Sequence, residues 1–450
     1  MRKETKDNIS SVLAVLLVVA VGVIFFKNNM PDRSEQSAEV QPALTQAENP
    51  APEPADPQAA PEAETEAEAV TEAASETEMI PAETAAQVTE QPAVTEQASS
   101  EADVKAADLL AEMSFEEKVY QLFITKPEQL SPDEEFLHEY PNTKDELKKY
   151  PVGGLIYFER NLSSREQCEE MIKNVKERTK TGLFISVDEE GGEIARVGNN
   201  PDMGTTEFPD TAKIGKTGDP EEAYTEGLTI GNDLKKLGFN LDFAPVADVN
   251  SNKKNPVIGT RAFSSDPAVV SQMVERSVAG FRESGVICTI KHFPGHGDTD
   301  TDSHKEFAET QKNLDELESC ELAPFRAGIA AGAPVVMAGH IAVPAVTNND
   351  VPASLSKDLI TGLLREKRGF NGLIITDSLQ MEAVTDRYSP DEAAVMALEA
   401  GCDIILMPDD LEEAANGISE AVKNGRLTED RLNDSVMRIL KTKIEYGIIS

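Results

Sequence analysis

The chain has 450 residues, with 81 acidic against 42 basic side chains and a formal net charge of −39. That excess argues against a nucleic-acid partner and for a soluble, self-repelling surface, and the length fits one large domain or two medium ones. The four cysteines, Cys168, Cys288, Cys320 and Cys402, contain no C-x-x-C pair. This argues against a structural zinc site, and Cys288, inside an apolar run, reads as a buried free thiol.

Residues 9–26 (ISSVLAVLLVVAVGVIFF) are almost wholly apolar and follow Arg2, Lys3 and Lys6. Eighteen residues at roughly 1.5 Å each just cross a bilayer core of about 30 Å. The run is followed by Lys27 and Asn28 rather than a small-x-small cleavage site. The expectation is an uncleaved, single-pass signal anchor, with residues 1–8 as a cytoplasmic stub and the rest extracytoplasmic. Residues 27–104 form an Ala/Pro/Glu/Thr-rich stretch with 18 acidic residues against Arg33 alone between Asn28 and Val104, and no aromatic residue. Such a stretch cannot offset the entropy of ordering and is expected to be a disordered, charged spacer. A single folded domain is expected over 105–450, as a monomer.

Within that domain, apolar runs alternate with stretches of helical spacing. A leading helix is expected over 106–123, with a capping-box pattern at Ser114 to Glu117 that would mark a restart. Strands are expected at 154–158, 183–188, 241–245, 287–292, 335–340, 373–377 and 404–407. Helices are expected at 164–180, 220–237, 266–284, 314–331, 357–368, 390–400, 411–424 and 428–446. Near-continuously apolar strands, each followed by a helix, specify a parallel sheet covered on both faces. No G-x-G-x-x-G follows the first strand. The pattern therefore reads as α/β class, a (β/α)8 TIM-type barrel with one strand irregular or missed.

In such barrels chemistry gathers where the strands end. Asp188 closes the second apolar run, followed by Glu189, Glu190, Gly191, Gly192 and Arg196; Lys291-His292 close the fourth, His340 the fifth and Asp377 the sixth. Charges at several strand ends sharing one mouth point to a functional site. Three of the five histidines fall in KHFPGHGDTDTDSH (291–304), whose glycines and proline make it a turned loop. Asp302 and His304 are two apart, so in an extended segment they share a side, and the carboxylate orients an imidazole suited to proton transfer.

The same segment resembles the signature of glycoside hydrolase family 3, in the branch of bacterial β-N-acetylglucosaminidases. DEEGG with Arg196, GTRAF around Arg261 and ITDSLQMEAV around Asp377 match that family in the same order. The resemblance implies a retaining β-N-acetylhexosaminidase that releases terminal β-linked N-acetylglucosamine from cell-wall fragments or other glycans, without a cofactor or metal. It implies Asp377 as nucleophile and His304, paired with Asp302, as acid/base. Asp188, Arg196, Arg261, Lys291 and His292 match sugar-binding positions.

Blander roles stand beside these. Asp377 reads alternatively as a helix cap, His296 and Asp298 as residues that hold the loop's shape, and Glu189 and Glu190 as rim salt bridges. His340 either lines the pocket or packs, and His138 faces solvent. Three rival functions remain: a phosphorylase, since a neutral histidine does not repel phosphate; a metal-dependent hydrolase using His292, His296, Asp298, Asp302 and His304; and a stalk-displayed glycan-binding protein.

Overall fold

The computed structural model describes residues 100–131, 143–303 and 308–449. The expected anchor at 9–26, the spacer up to residue 99, His138 and His304 lie outside the described residues. Among the described residues no helix is long and apolar enough to cross a membrane.

The folded part starts earlier than residue 105. Helix Glu101–Glu112 is capped by Ser100, whose hydroxyl accepts from the Asp103 amide while the Asp103 carboxylate accepts from Ser100. Residues 101–104, assigned above to the spacer, therefore belong to the domain. The leading helix is broken. Ser114 caps a second helix, Phe115–Gln121, with Glu117 completing the reciprocal pair, and the restart satisfies amide groups that a continuous helix would not expose.

Directly after it comes the strand absent from the sequence reading, β1 (Phe123–Thr125). The others are β2 (Gly154–Ile156), β3 (Phe184–Val187), β4 (Leu241–Asp242), β5 (Ile287–Phe293), β6 (Val335–Ala338), β7 (Leu373–Thr376) and β8 (Ile405–Leu406). They form one eight-stranded sheet in the order β7-β6-β5-β4-β3-β2-β1-β8, every pairing parallel. The two edges meet at a parallel bridge between Ile375 and Ile404, with the Thr376 amide donating to the Ile404 carbonyl at 3.0 Å. The sheet thus curls into a barrel-like, nearly closed ring, as the apolar repetition predicted.

All eight strands are buried along their length, which is why their sequences read as apolar runs rather than alternations. Helices cover the outside. Pro220–Leu237 and Pro267–Ser284 start with an aspartate N-cap and proline and stop at Gly238 and Gly285, which take the left-handed conformation a helix C-cap asks for. The expected helix at 314–331 is two, Leu314–Ser319 and Leu322–Ala330, separated at Cys320. At the end of the barrel where strands begin, the fully buried Lys443 donates to Gln121 Oε1 at 2.8 Å and to the Gly182 carbonyl at 2.9 Å, over the Phe184 ring. All four cysteines are free, with Cys288 fully buried.

Candidate active site

The carboxyl ends of the strands surround a cavity of about 410 Å³. Six of the residues expected to form the site line it together: Asp188 after β3, Arg196 from the hairpin that follows, Arg261, Lys291 and His292 within β5, and Asp377 after β7. They approach from well-separated points of the chain because a parallel barrel directs every strand end to one mouth.

One wall is charged. Lys291 Nζ lies 2.8 Å from Asp188 Oδ1 and 2.6 Å from Glu190 Oε1, and Arg261 grips both oxygens of Glu190 at 2.8 Å each. Burial alone would push the Glu190 carboxyl up; the cations of Arg261 and Lys291 beside it win and hold it well below the ordinary carboxylate range. Burial works against the Lys291 ammonium too, yet Asp188 and Glu190 raise its pKa, so it stays a cation. Glu190 is therefore not a rim residue. Its side chain is 1% exposed and sits in the cavity wall between two cations.

Glu189, its neighbour, points elsewhere. Its carboxylate accepts from the amides of Val197 and Gly198 at 2.7 and 2.8 Å, pinning the hairpin that carries Arg196, and burial pushes its pKa up to about 7. Arg196 reaches Glu159 at 3.0 Å and lies over the Phe158 ring.

The rest of the lining includes the apolar side chains Ile156, Phe158, Met337, Met381, Leu406 and Met407. A few fixed polar groups among apolar ones suit a sugar ring, which has both hydroxyl groups and C–H faces. Asp377 follows β7 directly. Its amide donates to the Ala338 carbonyl at 2.8 Å and its Oδ1 accepts from the Ser378 amide at 2.8 Å. The helix that follows, Glu382–Thr385, is capped at Met381, so Asp377 is not its cap.

His340 resolves to packing. It is fully buried; Nε2 donates to the Ser378 carbonyl at 2.8 Å, leaving Nδ1 to accept from Ser354 Oγ at 2.7 Å. It thereby secures the peptide next to Asp377. His292 is oriented by Asp248, a residue the sequence reading passed over. The fully buried Asp248 carboxylate accepts from His292 Nδ1 at 2.7 Å, from the His292 amide at 3.2 Å and from the His296 amide at 2.6 Å. With Nδ1 committed to Asp248, Nε2 is the nitrogen His292 has left for a ligand.

Asp302 is described but is not in the cavity lining, and His304 lies outside the described residues. In the loop between, His296 is buried and bonded on both ring nitrogens, to Thr299 and Ser303. Asp298 accepts from Thr310 Oγ1 at 2.6 Å and pairs with Lys312 at 3.1 Å. Both therefore hold the loop's shape. Among the described residues no group of three or more His, Cys, Asp or Glu side chains is arranged to hold a metal ion.

Residues 114–442 match the family model described as the glycosyl hydrolase family 3 N-terminal domain. The chain is 33% identical over 340 residues to "Beta-hexosaminidase A" of Pseudoalteromonas piscicida, covering 69% of this chain and 56% of that protein. It is 35% identical over 283 residues to "Beta-hexosaminidase" of Xylella fastidiosa strain 9a5c, covering 61% of this chain and 82% of that one. Among solved structures, a glycoside hydrolase family 3 beta-N-acetylglucosaminidase from Paenibacillus sp. str. FPU-7 superposes with a TM-score of 0.70 at 36% identity, over 75% of this chain and 64% of that one. The chain thus spans little more than half of the first relative and most of the second. With the family model covering nearly the whole barrel, the chain belongs to glycoside hydrolase family 3.

Proposed function

We propose that the protein is a retaining β-N-acetylhexosaminidase that removes terminal, non-reducing β-linked N-acetylglucosamine from glycans such as cell-wall fragments. The observation that carries this reading is the convergence of Asp377 with the Asp188–Lys291–Glu190–Arg261 wall and His292 on one sugar-sized cavity, in a chain whose relatives bear the names "Beta-hexosaminidase" and "beta-N-acetylglucosaminidase".

In this reading the hydroxyls of the sugar bind Asp188, Lys291, Arg196, Arg261 and His292. The Asp377 carboxylate attacks the anomeric carbon as the bond to the leaving oxygen breaks, and His304, aided by Asp302, gives that oxygen a proton. His304 then takes a proton from water, which attacks the glycosyl–aspartate ester. The sugar leaves with its anomeric configuration retained and Asp377 is restored. The proposal includes a full (β/α)8 barrel, tethered outside the cell membrane by the span at 9–26 and the acidic spacer.

A panel of aryl β-glycosides, assayed with and without phosphate, tests the activity. Release of free N-acetylglucosamine from its aryl glycoside, with little turnover of glucosides or xylosides, is the expected result. Release of sugar-1-phosphate instead would make the protein a phosphorylase, and binding without turnover would end the enzymatic reading. For location, fractionation of cells should leave the full-length chain with membranes and its barrel open to added protease. Recovery of a shortened, soluble chain would overturn the tether.

A further inference from the structure

We infer that His296 is a positioning residue for the acid/base: its side chain closes the turn from 296 to 303 and so sets where Asp302 stands. This rests on the acid/base reading of Asp302 and His304 proposed above, and it deepens that reading by adding a residue that touches no substrate.

The imidazole of His296 is buried and works inside its own loop. Nδ1 lies 2.9 Å from Thr299 Oγ1 and Nε2 2.7 Å from Ser303 Oγ. One ring thereby draws together two points of the chain four residues apart, and the second is the residue next to Asp302. Burial, with His292 adding to it, holds the His296 pKa down to about 4. A neutral imidazole has one donor and one acceptor, which is what two hydroxyl groups on opposite sides of a ring can match.

The root of the loop is fixed independently. The His296 amide donates to Asp248, the same carboxylate that orients His292, so one buried group ties the sugar-binding strand end to the backbone of His296. Asn255 Nδ2 donates to the His296 carbonyl at 2.8 Å and to the Thr299 carbonyl at 3.0 Å. Gly297 presses backbone to backbone on Val249: a Cβ there would lie 1.8 Å from the Val249 carbonyl oxygen, so no other residue fits. The His296 ring meets the His292 ring edge-on, centroids 6.0 Å apart, and His292 lines the same cavity as Asp377, so the root of the loop lies beside that cavity. Asn252 holds Asp300 and Thr299 Oγ1 reaches the Thr301 carbonyl along the way, and the bond from His296 to Ser303 ties the fixed root to the residue next to Asp302. A general acid has to meet the leaving oxygen within hydrogen-bond reach, so displacement by about 1 Å is costly.

The test is kcat/KM, which reports the first bond cleavage, on aryl N-acetyl-β-glucosaminides whose phenols run from 2,4-dinitrophenol, which departs unprotonated, to phenol, which does not. Ser303→Ala removes one hydroxyl; His296→Asn removes the ring; Asp302→Asn serves as reference. Ser303→Ala and His296→Asn are expected to lose about 10-fold or more on the phenyl glycoside and under about 3-fold on the dinitrophenyl one, within the range general acid catalysis supplies. Their inhibition constant for N-acetylglucosamine should stay within about 2-fold of the parent, because the groups that bind the sugar lie outside the turn from 296 to 303. If Asp302→Asn shows the leaving-group dependence and Ser303→Ala shows a uniform loss or none, the inference is overturned, since a merely structural residue lowers every substrate alike. If Asp302→Asn is itself uniform along the series, the acid/base reading falls and takes this inference with it.

Discussion

Replacing Glu190 by glutamine keeps its shape and removes one charge from the middle of the cavity wall. The carboxylate meets Lys291 at 2.6 Å and Arg261 through two contacts of 2.8 Å, and the side chains involved are 1%, 3% and 16% exposed. At an effective dielectric of about 20, each cation attracts Glu190 by about 6 kcal/mol. Most of that is offset by the cost of taking three ions out of water, and removing one partner from such a buried set costs about 3–5 kcal/mol. Glu190→Gln should therefore lower the free energy of urea unfolding at pH 7 by about 3–5 kcal/mol. It also turns an amide N–H toward a cation and leaves Lys291 to Asp188 alone. With Asp188 drawn to Lys291 and Arg261 released, KM should rise while the step proposed for Asp377 is less affected. A loss below about 1 kcal/mol with KM unchanged would refute the reasoning, because it would mean that Lys291 and Arg261 are held by other contacts.

Two buried groups predict opposite pH trends in stability. Glu189, pushed up to about 7, binds its proton more tightly folded than unfolded, so its contribution falls as pH rises from about 4.5 to 7, by about 3 kcal/mol; thermal melting across that window should show the decline, and Glu189→Gln should flatten it. Lys443, held down to about 7 by burial, binds its proton less tightly folded, so stability should rise as pH climbs from about 7 to 10.5. Lys443→Met should remove that rise, its advantage being greatest at or below neutral pH; a parallel curve for the variant and parent would contradict this. Incubation with a strong chelator should leave turnover unchanged, since His292 and His296 are engaged with Asp248, Thr299 and Ser303; loss of activity restored by a divalent ion would revive the metal-dependent reading.

The barrel was legible because each central strand is buried on both faces and so appears as a plain apolar run with a polar residue where it stops. β1 escaped because it has three residues and begins one residue after a helix, Leu122 being the whole connection; its Phe123 fits the helical spacing of the preceding segment equally well. The charged wall was legible as strand-end residues, but Glu190 was assigned to the rim. Its spacing of two from Asp188 in an extended hairpin puts both on one side, the available signal for their shared contact with Lys291. Asp248 and His292 are 44 residues apart and meet only because β4 and β5 are neighbours, a pairing that no local pattern carries. His296 was recognised as a shape-holding residue from the turned character of its loop; that its partners are Thr299 and Ser303 follows from the path of the backbone.

In the proposed reaction Asp377 forms the bond to the sugar. Incubating the protein with a slowly hydrolysed, 5-fluorinated N-acetylglucosaminyl fluoride and mapping the product by mass spectrometry tests it directly. The expected result is an intact-mass increase of one fluorinated sugar, on the peptide that contains Asp377, and no adduct in Asp377→Ala. A sugar attached to any other residue, or equal labelling of the alanine variant, would contradict it.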